Sequence, residues 1–561
     1  MSGGRRIVAG VDIGNSTTEV VVAEVTKAGT APLAWDRALT RGVKGSSQSV
    51  DAAGALATRL ARQVGGRLDV CAVAPLRPVS TRSLLVPMPD PDLGRLWLAR
   101  VGAPTAGGQG VGVGRPVALS DLTAARVGDI VAVGDLGDGF REVAAQVSKA
   151  LAHGVNVVAV VLEGDEAVLV ANRLSRTLPV VDGVEAGRML RARAVAVEVG
   201  PPGRPVRRLS DALALATGLS LEATDPGVAA VCRALFDVSN AVVALDAAAP
   251  SAPAPSPSPV LRLPGGTVTL EALAAQDAPA VRTGRLVWPV DGLDAAVDDV
   301  AVLDLDRLAE ASSTRAGSTQ SRAFALALLH QEAAAEVADR LSDAAQAPVV
   351  TAASETSASR AGALTTPGAS PTTAVVDLGG GTVDVIVEDT DVVLAGAGEL
   401  VTVATSQLLG IPRGAAEWAK RGACHRAESP HLVVGEDGSR TLLPEPLPGH
   451  LVGGLVAPGP SGWLGLGGQL AASEWRALRR NVKQSVLAAA VERALRRLGG
   501  EANTWVVVGG PAGDDEVVAT ITRRLPADSA VGRADVGAGL GHRYAVAYGL
   551  VLAAADEGAT R

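Results

Sequence analysis

The chain has 561 residues, of which 47% are hydrophobic and 20% charged, so we expect a globular protein of several domains. Only 2% of residues are aromatic, the formal net charge is −8 and no long basic run occurs, which argues against nucleic acid as a partner. Three distant cysteines are typical of a reducing compartment, and no apolar stretch is long enough to span a membrane, so we expect a cytoplasmic protein.

The first part of the chain predicts strands joined by tight turns. Apolar runs at 7–12 and 17–25 are the first two strands, and a third is expected near 32–38. Residues 52–64 have helical spacing, and residues 68–74 predict another strand.

The turn between the first two strands carries more polar groups than a hairpin requires. Asp12 ends the first strand, where a carboxylate can hold Mg²⁺ through water. Converging backbone N–H groups in a turn that contains glycine form an anion site, to which hydroxyl groups add donors. An ordinary hairpin tip is the alternative. The candidate phosphate-binding residues of this turn are Gly14, Asn15, Ser16, Thr17 and Thr18.

The middle of the chain changes character near residue 100, where a glycine-rich segment indicates a boundary. A strand at 129–136, a helix at 141–154 and a strand, turn and strand at 155–174 then predict an inserted domain. The Pro/Ser/Ala segment at 247–260 predicts a surface linker. Apolar residues three and four apart predict one long amphipathic helix over 321–345.

The last third repeats the opening hairpin. Residues 372–388 again give a strand, an aspartate, a glycine-rich turn and a strand, with Asp377 matching Asp12. Two such hairpins far apart in the chain suggest two related half-domains whose turns grip one polyphosphate. Farther on, a strand ends in Gly509 and Gly510, where backbone can approach a flat ligand. The second turn contributes Gly379, Gly380, Gly381 and Thr382.

The ordered set of two polar hairpins and a strand-Gly-Gly segment resembles the actin-like ATPase superfamily. The resemblance implies an α/β fold of two related halves, with both hairpins as phosphate loops and Gly509-Gly510 as the adenosine motif. It also implies ATP or ADP with Mg²⁺, and Asp12 and Asp377 near the metal. Residues 354–364 and the closing helix at 541–555 are similar to the two connecting helices of that fold.

The same resemblance suggests roles for two further residues. Glu355 falls where the superfamily polarises the attacking water, although an acid opposing a helix dipole is an equally good interpretation. Lys483 falls on a helix where chaperone relatives contact the ribose, although a solvated helix face is the simpler interpretation.

A narrower resemblance covers essentially the whole chain. The segments AGVDIGNSTTEV, PTAGGQGVGVG, LVANRLSRTLPVVDGV, GALTTPG and LAGAGELVT occur in the order found in large subunits of diol and glycerol dehydratase reactivating factors. This family implies an ATP-dependent, chaperone-like factor that releases damaged cobalamin from a B12-dependent dehydratase. It also implies a small subunit in an α2β2 heterotetramer, located in the cytoplasm or with a bacterial microcompartment.

The reactivating-factor resemblance also implies a metal site where the inserted, swivelling domain meets the small subunit. Its residues here are Thr105, Asp165 and Asp182, whose hard oxygen atoms suit Mg²⁺ or Ca²⁺. Without the resemblance, Asp165 would be interpreted as a turn acid and Asp182 as a strand-end residue. Glu166, which follows Asp165 in the turn, is a candidate that competes with it as a metal ligand.

The expected domain organisation follows from these assignments. Residues 1–90 begin the actin-like domain, 91–255 form the inserted swivelling domain, 256–300 are a linker region and 301–561 complete the actin-like domain. Three other functions share the phosphate loops and stay open at this point: reactivation of ethanolamine ammonia-lyase, a sugar kinase and a filament-forming ATPase.

Overall fold

The structure is a computed structural model, and the chain forms two compact units. One consists of Met1–Pro87, Pro257–Ala316 and Ser321–Arg561, and the other of Met88–Ser256 with Gly317–Gln320. Among the described residues, no helix is both long and apolar enough to cross a bilayer. The structure describes residues 5–87, 93–125, 128–201, 204–247, 258–275, 283–312, 321–467, 470–499 and 502–560.

The larger unit opens with the predicted hairpin and a third antiparallel strand. Its valine-rich strands are buried on both faces, as expected for a sheet covered by helices. The elements are β1 (Arg6–Ile13), β2 (Thr17–Thr26), β3 (Gly29–Leu39), α1 (Ser47–Gln63), β4 (Val70–Val73) and β5 (Val79–Pro87).

The smaller unit is built on one seven-stranded sheet. Its elements are β6 (Leu96–Val101), β7 (Gly110–Ala118), β8 (Ile130–Gly134), α2 (Phe140–Ala152), β9 (Val157–Leu162), α3 (Ala167–Ala171), β10 (Val180–Val181), α4 (Ala186–Met189), β11 (Ala194–Val199), α5 (Ala212–Leu219), α6 (Pro226–Ala234) and β12 (Asn240–Leu245). The strand order is β10-β9-β8-β7-β11-β12-β6.

The chain then returns to the larger unit. The elements up to the second hairpin are β13 (Val260–Leu263), β14 (Gly266–Thr269), α7 (Leu270–Ala275), β15 (Gly284–Trp288), β16 (Leu293–Asp304), α8 (Leu305–Ser312), β17 (Ser321–His330), α9 (Val337–Ala345), β18 (Val349–Thr351) and α10 (Glu355–Ala363). Strands β13 to β17 join β5 in a six-stranded sheet of order β14-β13-β15-β16-β17-β5.

The last part holds the second hairpin and the closing helix. Its elements are β19 (Ala374–Leu378), β20 (Thr382–Val387), β21 (Thr390–Ala395), α11 (Gly398–Leu409), α12 (Arg413–Ala419), β22 (His425–Ser429), β23 (Leu432–Gly435), β24 (Arg440–Leu442), β25 (Leu455–Gly459), β26 (Gly462–Gly467), α13 (Ala472–Lys483), α14 (Ala489–Leu498), β27 (Thr504–Gly509), α15 (Asp515–Thr522), β28 (Ala530–Arg533) and α16 (Ala545–Thr560). A π-helical turn, Gln484–Ala488, joins α13 to α14.

Two five-stranded sheets of the larger unit have the same topology. Their orders are β18-β4-β1-β2-β3 and β28-β27-β19-β20-β21. In each sheet the three strands that come first in the chain, β1–β3 or β19–β21, are antiparallel neighbours. The two later strands, β4 and β18 or β27 and β28, run parallel to β1 or to β19. The prediction of two related halves from the repeated hairpin is therefore confirmed.

Helices α10 and α16 cross with their backbones in contact. A Cβ on Gly362 would lie 1.9 Å from the carbonyl oxygen of Ala545, and one on Gly549 would lie 1.8 Å from that of Ala358. Since no side chain larger than hydrogen fits at either point, glycine is required for the close approach.

Three predictions of secondary structure are wrong. The predicted helix 321–345 is strand β17 followed by helix α9, because a short run of apolar residues has no decisive period. The predicted strand after residue 165 is helix α3, and its first N–H group, that of Ala167, is bound by the Asp182 carboxylate. The described residues of the expected linker 256–300 contribute strands to the six-stranded sheet. Most of the predicted linker 247–260 lies outside the described residues.

We predict opposite effects of a single methyl group at two helical glycines. Gly549→Ala should lower the free energy of unfolding by at least about 2 kcal/mol, because the methyl group collides with backbone at the α10–α16 crossing. Gly414→Ala in α12, where a Cβ would meet nothing within 4 Å, should raise it by about 1 kcal/mol through helix propensity. Urea unfolding monitored by circular dichroism measures both. Equal stability of the two variants would contradict the close packing.

Candidate functional site

The two hairpin turns face each other inside the larger unit. Each is closed by the same hydrogen bond, from Gly14 N to Thr17 O at 3.0 Å and from Gly379 N to Thr382 O at 2.9 Å. A Cβ on Gly380 would lie 2.4 Å from Oγ of Ser16, so the tips of the turns are in direct contact. The repeated motif thus brings two distant segments to one place.

One cavity of about 470 Å³ lies at these turns. Every sequence-predicted residue of the nucleotide site lines it except Thr18. The Thr18 hydroxyl is paired with that of Thr40 at 3.0 Å, because alternation along β2 turns it away from Thr17 and Glu19. A phosphate contact from the Thr18 side chain is therefore not expected. The predicted residues that line the cavity are Asp12, Gly14, Asn15, Ser16, Thr17, Glu355, Asp377, Gly379, Gly380, Gly381, Thr382, Lys483, Gly509 and Gly510.

Seven carboxylates line this cavity, and we call the five that lie on the two hairpins and at the start of α10 the acidic cluster. Each hairpin supplies a cross-strand pair: Asp12 is opposite Glu19, and Asp377 is opposite Asp384. The fifth member, Glu355, lies in the first turn of α10. Sequence reasoning missed Glu19 and Asp384, although each follows its aspartate by seven residues in both copies of the motif.

Burial and mutual repulsion perturb the carboxyl groups of the first hairpin. Burial, followed by the charges of Glu355 and Glu19, raises the pKa of Asp12 well above its ordinary value. Burial also raises the pKa of Glu19, which accepts a hydrogen bond of 2.7 Å from the Thr17 hydroxyl.

The carboxyl groups of the second hairpin are perturbed in the same direction. Burial raises the pKa of Asp377 to about 6, although the Ser359 hydroxyl donates a hydrogen bond of 2.5 Å to it. Burial and the neighbouring charge of Asp377 raise the pKa of Asp384 well above normal. Oδ1 of Asp384 is buried and has no hydrogen-bond partner among the described residues.

Lys44 places a buried ammonium group beside the cluster. Its Nζ lies 2.7 Å from Oε2 of Glu355. Burial alone would lower the pKa of Lys44, but the charges of Glu355 and Asp12 outweigh burial and raise it. The loop that carries Lys44 has no motif, so nothing in the sequence pointed to this residue.

The acidic cluster has the chemistry of a divalent-cation site. Carboxylate oxygens are the ligands that Mg²⁺ prefers, and the unpartnered oxygen of Asp384 is available to a metal-bound water. Within the described part of the chain, no three His, Cys, Asp or Glu side chains are close enough to enclose an ion directly. In general, Mg²⁺ at nucleotide sites keeps several waters and is bound by one or two carboxylates together with phosphate.

The strand-Gly-Gly segment lies at the same cavity, but its glycines have different functions. Gly509 has a φ of +86°, and a Cβ there would lie 2.2 Å from the carbonyl oxygen of Leu378, so it is required for packing against β19. A Cβ on Gly510 would meet only the Arg543 guanidinium, at 3.0 Å. Of the two glycines, Gly510 is therefore the one that can give a ligand close access to backbone.

Lys483 is buried, so the interpretation as a solvated helix face is wrong. Its side chain is 2% exposed, and its Nζ lies 2.6 Å from Asp514 and 2.8 Å from Glu516. Hydrogen bonds from Arg479 and Lys483 lower the pKa of Glu516 to about 2 against the opposing effect of burial. These ion pairs hold α13 against α15 at the wall of the cavity.

The predicted metal ligands of the smaller unit are in mutual contact. Oγ1 of Thr105 lies 2.7 Å from Oδ1 of Asp165, and 3.0 and 2.9 Å from the two carboxylate oxygens of Asp182. Asp182 is 2% exposed and also accepts a hydrogen bond from the N–H of Ala167. The three side chains form one cluster of oxygen atoms, whereas Glu166 is the N-cap of α3 and is absent from these contacts.

Comparisons with known proteins extend over the whole chain. The family model described as "Diol dehydratase reactivase ATPase-like domain" matches residues 291–554, and that described as "DD-reactivating factor swiveling domain" matches residues 101–248. The propanediol dehydratase-reactivating factor large subunit of Citrobacter freundii is 29% identical, and the alignment covers 98% of each chain.

Solved structures give the same result. A diol dehydratase-reactivating factor in nucleotide-free form is 25% identical and matches with a TM-score of 0.68, over 98% of this chain and 100% of the other. A glycerol dehydratase reactivase is 26% identical, with a TM-score of 0.67 over 98% and 99% of the two chains. The predicted α/β fold, with two related halves and an inserted domain, is confirmed. The chain belongs to the family of diol dehydratase reactivase large subunits, whose ATPase-like and swivelling domains it carries.

Proposed function

We propose that this chain is the large subunit of an ATP-dependent factor that reactivates a B12-dependent diol or glycerol dehydratase. Damaged cobalamin would leave the dehydratase so that intact coenzyme can enter. The observation that supports nucleotide turnover is the pair of matching turns, with Gly380 against Ser16, beside a buried acidic cluster. The names of the similar proteins support the choice of client.

The nucleotide phosphates would lie at the two turns. The N–H groups of Gly14 and Gly379 close the two turns, so those from Asn15 to Thr17 and from Gly380 to Thr382 are suited to bind the phosphates, with added donors from hydroxyl groups. The adenosine would lie along Gly510, between the Arg543 guanidinium and the wall formed by Lys483 and Asp514. Both halves of the larger unit would thus hold one ligand.

Asp12, Asp377 and Asp384 would hold Mg²⁺ through its waters. The metal, when bound, neutralises charge that develops on the transferred phosphoryl group. The raised pKa of each of these carboxyl groups favours the protonated form, so metal binding would weaken as the pH falls.

Glu355 and Lys44 would orient the attacking water and the terminal phosphate, respectively. Their ion pair fixes both side chains at the rim of the acidic cluster. A carboxylate accepts a proton from water while an ammonium group attracts the phosphate oxygens, so the pair supplies both groups that hydrolysis needs.

The cluster formed by Thr105, Asp165 and Asp182 would bind a divalent cation where the swivelling domain contacts a small subunit, in an α2β2 assembly. Two carboxylates meeting at one hydroxyl group are unfavourable without a cation, which supports a metal at this point. Nucleotide turnover would change the affinity for the small subunit, and a subunit of the dehydratase would take its place.

Asp12→Asn combined with Asp377→Asn should lower ATP turnover at least 100-fold, because the two carboxylates that orient the metal are lost. Phosphate release measures turnover, and recovery of inactivated diol dehydratase measures reactivation. Asp391→Asn, at an exposed position on β21, is the matched control and should retain both activities. Normal ATP turnover by the double variant would contradict the proposed site. ATP turnover without recovery of the dehydratase in the wild-type protein would contradict only the proposed identity of the client enzyme.

Asp377→Asn alone should stabilise the nucleotide-free protein. The pKa of the Asp377 carboxyl group is about 6 in the folded protein and 3.8 ordinarily. Ionisation of this group therefore destabilises the fold increasingly as the pH rises from 3.8 to about 6. The gain should be about 1–3 kcal/mol at pH 7.5 and should vanish near pH 4. Thermal unfolding at several pH values tests this, and a gain that is independent of pH would argue against the burial of Asp377 as its cause.

Thr105→Val combined with Asp165→Asn should weaken association with the small subunit at least 10-fold, because two metal ligands are lost. Adenine nucleotide affinity should not change. Calorimetric titration of the small subunit, with and without EDTA, measures the effect. Asp237→Asn, on the surface of the same unit, is the control. The proposal fails if EDTA has no effect on the wild-type complex.

A further inference from the structure

A second cavity of about 640 Å³ lies within the larger unit, on the other side of the helix that carries Lys483. Strand β16, helices α7 and α8 and the helix α13–α14 form its walls. Lys483 and Leu487 face the nucleotide cavity, whereas Gln484, Ser485 and Val486 face the second one. The π-helical turn is therefore a wall shared by both cavities.

The second cavity is apolar at its floor. Leu303, Leu308, Leu400 and Val486 are buried there, and Ala490 adds a further apolar surface. A surface of this kind suits the hydrocarbon part of a ligand, and the volume lies in the usual range of small-molecule sites.

The rim of the cavity carries an excess of arginine. Glu492 is shared by two guanidinium groups, at 2.5 Å from Arg496 and 3.3 Å from Arg524. Asp304 is paired with Arg322, which does not line the cavity. Arg307 lines the cavity and forms no ion pair with any residue that the structure describes. Among the described residues that line the cavity, the arginines Arg307, Arg493, Arg496 and Arg524 outnumber the two carboxylates Asp304 and Glu492. Arg493 is also paired with buried Asp299.

We propose that this cavity binds a small amphipathic organic anion, with its apolar part on the floor and its carboxylate or phosphate at Arg307 and Arg524. Guanidinium groups bind either anion in a bidentate manner. Nothing in the proposed ATPase cycle uses this cavity, so the binding half of the proposal is independent of that function.

Binding in the second cavity should also change nucleotide affinity, and this half rests on the proposed function. A π turn contains one residue more than an α turn and is often found at functional sites, where it can shift. A ligand packed on Ser485 and Val486 would restrain the turn that positions Lys483. Linkage requires that the anion and the nucleotide change each other's affinity by the same factor.

The test uses octanoate as the anion and octanamide as a neutral probe of the same length, titrated calorimetrically into the full chain. Octanoate should bind wild-type protein at least 10-fold more tightly than octanamide. Arg307→Gln combined with Arg524→Gln should remove that preference. Arg497→Gln combined with Arg523→Gln removes equal charge from neighbouring exposed positions outside the cavity, and should leave octanoate binding unchanged.

A third variant separates this cavity from non-specific binding. Ser485→Phe fills the space and should abolish binding of both probes while the protein stays folded. Octanoate binding that survives Ser485→Phe, or that is equal in the two arginine double variants, would overturn the site. ADP titration with saturating octanoate should show a change in ADP affinity of at least threefold, and an unchanged affinity would overturn the coupling. Failure of ADP to bind at all would instead overturn the proposed function.

Discussion

Repulsion within the acidic cluster is the constraint on which the site depends. Folding removes these carboxylates from water and places them near one another. The charge of Lys44, with those of Arg543 and Arg37 near Glu19, offsets only part of that penalty. A divalent ion bound as proposed would reduce this repulsion, so part of the affinity for a magnesium nucleotide would come from relief of an unfavourable free state.

The duplicated hairpin explains how one chain assembles such a cluster. Each half supplies one aspartate at a strand end and one acid opposite it on the next strand. Neither half has a complete site alone, since the turn at Ser16 needs the turn at Gly380 as its partner. Ligand binding is thereby tied to the arrangement of both halves, which is what a nucleotide-dependent machine requires.

The repeated sequence pattern was enough to predict the two hairpins, their turns and Asp12 and Asp377, because these lie in short local motifs. It also contained Glu19 and Asp384, whose role becomes visible only when strand pairing is known. Lys44 and the burial of Lys483 could not be predicted, since both depend on contacts with residues far away in the chain. Strand β17 was mistaken for a helix because a strand buried on both faces has no alternation to reveal it.

The crossing of α10 and α16 limits how the two halves can move. Gly362 and Gly549 bring one backbone against the other, so no side chains interlock at this point. Pulling the helices apart would open a gap that nothing fills, and α16 is held equally closely against β1, where a Cβ on Gly10 would lie 1.8 Å from the carbonyl oxygen of Ala547. The closing helix is therefore in backbone contact with both β1 and α10, so a displacement of any one of these elements would carry the other two with it.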